Sequence, residues 1–343
     1  MIDPSRFEAA WWGSFIGDAL AMPVHWYYTR ERIATDYGTL TGYVAPHNPH
    51  PDSALSRSSY TATGATDDIL HEQAVYWGGP SDIHYHQFLA AGENTLNVQI
   101  AALLAHSLID CGGYDQSDFA RRYIDFMLTA GSHRDTYVES SHRSFFRHYA
   151  EGRELDECGV EDSNIGGLAT LTPLVLLYAS DRDAMQAVVR EHIALTHKGP
   201  VAAEAAAVFA DLLFSLVHGS TIDEAMTQCG RTEHAVLDHP WHEWADTRDD
   251  NDIIGNRFSP ACKLADSLPA TLHLAVKYEH DARGGLLANV RAGGDNCHRG
   301  VVLGALLGAA GGMDALPPEW VRGLHAHAQY QPLVEALRRL ALS

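Results

Sequence analysis

Gly300-Val301-Val302-Leu303-Gly304-Ala305-Leu306-Leu307-Gly308 is the stretch from which the fold follows. Its glycines recur every fourth residue among aliphatic neighbours, so on a helix all three lie along one face and leave it without side chains. Such a face lets a second backbone come close, and Gly13 and Gly17 repeat the spacing within Phe7 to Leu20. The two segments read as tightly packed core helices. Outward from them, apolar residues recur at helical spacing in Leu96 to Ile109, Phe119 to Leu128, Leu168 to Tyr178, Val201 to Val217, Leu264 to Tyr278 and Leu333 to Leu342, whereas strand-like alternation is scarce. Ala202-Ala203-Glu204-Ala205-Ala206-Ala207 adds strong helix propensity. The expectation is an all-α fold, one compact helical domain over residues 1–343, with loops at Ala45 to Ser59, Gly152 to Gly159 and Asp238 to Pro260.

Composition narrows the function. Lys and Arg number 24 against 44 Asp and Glu, a formal charge of −20, and no basic cluster occurs, which argues against a nucleic-acid partner. No apolar run approaches the ~20 residues of a bilayer span, and no basic segment precedes an apolar block at the N-terminus, so a cytoplasmic protein without a membrane partner is expected. Five cysteines without a C-x-x-C pair point to reduced thiols. Phosphate-loop, dinucleotide and nucleophile-elbow signatures are missing. His71-Glu72 and His242-Glu243 lack the second histidine of a zinc-protease motif, and Asp246 to Asp252 reads as a solvated loop.

Five short elements carry chemistry. Thr66-Asp67-Asp68 joins two carboxylates and a hydroxyl, a compact oxygen set suited to magnesium or manganese, although a Thr66 helix cap explains the same residues. Gly293-Gly294-Asp295-Asn296-Cys297-His298 delivers Asp295 to the start of the glycine-striped helix, where an N-cap is the simpler alternative. In Gly17-Asp18-Ala19-Leu20-Ala21-Met22-Pro23-Val24-His25, Asp18 reads as a buried polar residue bonded to a neighbouring loop, and Pro23 ends the helix ahead of His25. Ser163-Asn164-Ile165-Gly166-Gly167 precedes an apolar helix whose free N–H groups could hold phosphate. Thr196-His197 lies between two helical patterns, where a structural histidine is the simpler reading.

Together and in this order, across residues 6 to 312, these elements resemble the ADP-ribosylglycohydrolase family, which includes the enzyme that reactivates dinitrogenase reductase. The resemblance implies an orthogonal all-α bundle and a magnesium-dependent glycoside hydrolase that cleaves the anomeric bond of a protein-linked or small-molecule ribosyl or ADP-ribosyl substrate. It implies Thr66, Asp67, Asp68 and Asp295 as metal ligands, and Asn164, Ile165, Gly166, Gly167, His197, Gly293 and Gly294 as substrate contacts. Asp67 or Asp68 would activate water, with His25 or His298 moving a proton. His25, Cys297 and His298 stand where the family has a glutamate, an aspartate and a threonine, so one Mg²⁺ or Mn²⁺ is expected rather than two. The segments around these departures resemble the branch that includes the family's lens crystallins, and a non-catalytic nucleotide-binding or structural protein is the alternative.

Overall fold

The computed structural model describes residues 1–230 and 235–342. Its helices are α1 (Pro4–Ala21), α2 (Arg30–Tyr37), α3 (Leu96–Cys111), α4 (Gln116–Leu128), α5 (Ser140–Ala150), α6 (Leu155–Cys158), α7 (Thr172–Leu177), α8 (Arg182–Ala194) and α9 (Pro200–Val217). There follow α10 (Ile222–Gly230), α11 (Trp241–Thr247), α12 (Asp250–Ile253), α13 (Leu264–Lys277), α14 (Ala282–Ala292), α15 (Asn296–Gly311), α16 (Pro318–Gly323) and α17 (His327–Ala341). Two-residue strands β1 (Val160–Glu161) and β2 (His197–Lys198) pair in parallel. The all-α expectation holds.

The glycine stripes meet as their spacing predicts. A Cβ added at Gly13 would stand 2.0 Å from the Gly304 carbonyl oxygen, one at Gly17 1.9 Å from that of Gly300, and one at Gly308 2.1 Å from that of Ala9. Backbone lies directly on backbone, and any side chain there would have to push α1 and α15 apart. Both helices are buried almost all round, from Ala9 to Ala21 and from Asn296 to Ala309, which is why neither shows the one-sided pattern of a surface helix. Helices α9, α13 and α14 pack around α15.

Three local expectations need correction. Leu168 to Tyr178 is not one helix: a 3-10 turn, Ile165–Thr170, gives way to α7, with Pro173 in its first turn. Asp246 to Asp252 is not simply a solvated loop: Asp246 lies in α11, and Asp250 accepts bonds from Lys277 (2.8 Å) and Tyr278 (2.7 Å) at the head of α12. Helix α9 has 18 residues and is apolar enough to span a bilayer by length and composition, yet it is packed against α8, α10 and α15. Cys111, Cys158, Cys262 and Cys297 are free thiols.

Candidate functional site

Pro23 terminates α1, a 3-10 turn follows, and the chain then runs beside the diglycine of α15. The Trp26 N–H donates to the Gly294 carbonyl and the Gly294 N–H to that of Tyr27, both at 2.7 Å, while the Asp295 N–H bonds Pro260 at 2.8 Å. Gly293 and Gly294 both adopt φ of +65°, and a Cβ at Gly294 would stand 2.1 Å from the Pro260 oxygen. Only glycine satisfies both conditions. The fully buried Arg299 ties the loops together by donating to Pro260 (2.6 Å) and Gly293 (2.5 Å). This pairing sets Asp295 opposite His25.

Asp295 occupies the N-cap position of α15 without capping it, because its carboxylate turns inward instead. Oδ1 lies 3.0 Å from His25 Nε2 and 2.8 Å from His298 Nδ1, all three groups being buried, and Oδ2 has no partner. Burial alone would raise the Asp295 pKa, but the two imidazoles hold it well below the carboxylate range. Burial works against the charge on His298 as well, and the Asp295 and Glu139 carboxylates overcome it, lifting its pKa to about 10. His25 goes the other way, to about 3, because desolvation outweighs its bond to Asp295.

Around this trio lies a shell that sequence patterns did not reveal. His25 Nδ1 meets His86 Nε2 at 2.7 Å, and His86 Nδ1 bonds Asp135, whose second oxygen takes the Leu96 N–H at 2.7 Å. Asn97 faces His298 Nε2 at 3.0 Å, donates to Glu139 at 2.7 Å and accepts from His142 at 3.0 Å. Asp18 accepts from Thr95 Oγ1 (2.6 Å), Thr95 N–H (2.8 Å) and Asn94 (2.9 Å), the buried loop contact read from the sequence. Asp18 and Asp135 therefore satisfy the first amides of α3 from outside the helix. Apart from Asp18, none of these partners sits in a motif.

Thr66, Asp67 and Asp68 are differently placed. Thr66 is exposed and lies in a turn rather than at a helix start. Asp67 closes that turn on itself, accepting the N–H groups of Thr63 and Gly64 and the Thr63 hydroxyl, each at 2.9 Å. These bonds depress its pKa against the desolvation of its burial. Asp68 takes the His71 N–H at 2.9 Å and keeps Oδ2 facing His71 at 3.7 Å. Among the described residues, the close potential ligand groups are His25, Asp295 and His298, and His25, His86 and Cys297, and neither contains Asp67 or Asp68. Two nitrogens to one carboxylate fit Mg²⁺ poorly, since that ion takes octahedral oxygen sets.

The remaining predicted residues border the trio through Glu139. A Cβ at Gly166 would stand 2.1 Å from Glu139 Oε2, and one at Gly167 2.9 Å from the His197 ring. The N–H groups of Ile165 and Gly167 are taken by the carbonyls of Cys262 (2.8 Å) and Asn164 (3.4 Å). Asn164 Oδ1 and His197 Nε2 are buried without partners, and burial draws the His197 pKa down to about 4.

A cavity of about 630 Å³ is walled by Trp26, the chain neighbour of His25, with Tyr28, Trp77, Tyr85 and Tyr137, and carries Arg57 and Arg143; the trio itself lies behind this lining. Trp26, adjacent to His25, has φ of +63°, a strained conformation for a bulky residue, and meets Tyr137 and Tyr85 edge-on at 4.3 and 4.6 Å. Arg143 lies 4.7 Å over the Trp77 ring with its Nε unpartnered. Cys262, on the same wall, has its thiol pushed up to about 12 by burial and then by the charges of Asp295 and Glu139. The loop Ala45 to Ser59 supplies Pro51, Asp52, Ala54, Arg57 and Ser58.

The chain is 24% identical to Crystallin J1A of Tripedalia cystophora over 321 residues, 92% of this chain and 91% of that protein. It is also 24% identical to an uncharacterized protein of Archaeoglobus fulgidus over 261 residues, 74% of this chain and 82% of the relative. A solved structure described as an ADP-ribosylglycohydrolase-related protein complex superposes with a TM-score of 0.65 at 24% identity, covering 98% of each chain, which speaks to the fold. The ADP-ribosylglycohydrolase family model matches residues 2–342, nearly end to end, and the chain belongs to that family.

Proposed function

We propose that this protein cleaves the anomeric bond of a ribosyl or ADP-ribosyl substrate bound in the aromatic cavity beside Asp295. The observation that carries the reading is the combination of wall and charge: stacking surfaces at Trp26, Tyr137 and Trp77, two arginines for a diphosphate, and an ionised buried carboxylate close by. Asp295 would stabilise positive charge at the anomeric carbon as the bond breaks. His298, whose proton the Asp295 and Glu139 carboxylates favour at Nδ1, would deliver that proton to the leaving group. His25 orients Asp295. No step runs through Mg²⁺. Asp68, with one oxygen outside its turn contact, is the carboxylate of the Thr66–Asp68 segment left available to an ion or a water.

The likeness to a crystallin favours a second reading, a nucleotide-binding protein without turnover. A panel of ribosyl and ADP-ribosyl glycosides, assayed with no added metal and with Mg²⁺ or Mn²⁺, separates the two. Turnover supports the hydrolase. ADP-ribose binding without turnover under any metal supports the second reading, and the absence of both overturns the cavity assignment.

A further inference from the structure

The contact between His25 and His86 raises a question of charge that the proposed activity does not answer. His25 Nε2 faces Asp295 and His86 Nδ1 faces Asp135, so with both carboxylates accepting, each imidazole carries its hydrogen on the outer nitrogen. The inner nitrogens, His25 Nδ1 and His86 Nε2, then present lone pairs to each other at 2.7 Å with the rings parallel within 2°. Something positive must sit between them, either a proton or a cation. A proton needs only these two atoms. A third donor is at hand: one ligand atom each of His25, His86 and Cys297 lie within 4.8 Å of one another, all buried. The Cys297 thiol has no stronger contact than the Asp18 carbonyl at 3.8 Å.

We propose that His25, His86 and Cys297 form a site for a borderline transition ion of the Zn²⁺ class, joined to the Asp295 and His298 groups only through His25. Two imidazoles and a thiolate suit such an ion and not Mg²⁺. The surroundings have the form that metal-bound histidines require. Each imidazole donates its outer N–H to a buried carboxylate, which fixes the tautomer and aims the inner lone pair at the ion. Tetrahedral bonds of ~2.0–2.1 Å place two nitrogens roughly 3.3 Å apart, so loading opens the His25 to His86 contact by about 0.6 Å. The ion displaces the Cys297 proton to solvent, and no oxidation is involved. The site does not depend on whether the protein turns over a glycoside.

The test uses the full-length protein stripped with a chelator, then titrated with Zn²⁺ or Co²⁺. One equivalent should bind, with a sulfur-to-cobalt charge-transfer band for Co²⁺ and an X-ray absorption shell of one sulfur and two imidazole nitrogens for Zn²⁺. Cys297→Ser should abolish the charge-transfer band, and Asp135→Asn should weaken binding by about 10- to 100-fold. The wild-type spectra keep the proposal testable if a variant fails to fold. A shell of nitrogen and oxygen alone would place the ion at Asp295 and His298 and overturn the proposal. Failure to retain either ion would also overturn it and leave the shared proton as the answer.

Discussion

Two segments of this chain carry the carboxylate motifs of its family, and the fold treats them oppositely. Asp295 stands where a helix cap belongs yet turns its carboxylate to His25 and His298, leaving Oδ2 unpartnered in a fully buried place. Asp67 lies in a segment with as clear a motif and spends both oxygens on its own turn. A buried oxygen without a partner is costly to keep, and its retention points to a ligand or substrate. An oxygen saturated by local amides is explained by the turn itself. Motif matching does not separate these cases, and hydrogen-bond accounting does.

The comparison breaks most readily at Asp295. Asp295→Asn keeps the shape and removes the charge, and kcat on the best ADP-ribosyl substrate should fall by about 10²- to 10³-fold. His298→Gln should lower kcat by roughly 10²-fold and flatten the alkaline limb of the pH profile, as expected of the proton donor. An unchanged profile would remove it from that role. Next in size, Gly17→Val forces a side chain into space where even a Cβ would stand 1.9 Å from the Gly300 oxygen, and roughly 3 kcal/mol of stability should be lost in urea unfolding. Asp67→Asn should cost ~1–2 kcal/mol of stability through its turn bonds, with kcat changed less than by Asp295→Asn. The reverse order of effects on kcat would shift the chemistry to Thr66–Asp68.

A pH series sharpens the same contrast. Burial lowers the pKa of His142 and His192 to about 3 and that of His197 to about 4, so all three are neutral when folded and take up protons on unfolding below their ordinary value of 6.5. Their effect is nil at pH 7 and grows as pH falls, reaching roughly 2 kcal/mol of lost stability for each imidazole at pH 5. His298 has the opposite sign: its contribution is full below pH 6.5 and is lost as pH rises through about 10. Urea midpoints at pH 5, 7 and 9 should therefore be highest near neutrality. A midpoint at pH 5 equal to that at pH 7 would show that these histidines are not buried neutral.

The helix pair was legible because glycine spacing is a local signal with one geometric meaning, and the structure seats Gly13 and Gly17 on Gly304 and Gly300. Asp295, His25 and His298 were legible through the family motif, but the choice between cap and functional carboxylate was not, since it depends on contacts across about 270 residues of chain. His86, Asp135, Asn97 and Glu139 had no signal. His86, Asp135 and Glu139 are single residues in segments without periodicity and Asn97 is a lone polar residue at the head of a periodic helix, and only the packing of α3 against the start of α15 and the loops before α5 gives each a partner. The cavity was half legible. Ala45 to Ser59 stood out as a loop, whereas Trp77, Tyr137 and Arg143 belong to no motif and only folding places them on one wall.

A crystal structure of the protein with ADP-ribose tests the account most directly. The diphosphate should lie against Arg57 and Arg143, the rings on the Trp26 and Trp77 wall, and the terminal ribose at hydrogen-bonding distance from Asp295. A ribose seated on Thr66, Asp67 and Asp68 with Asp295 out of contact would contradict it.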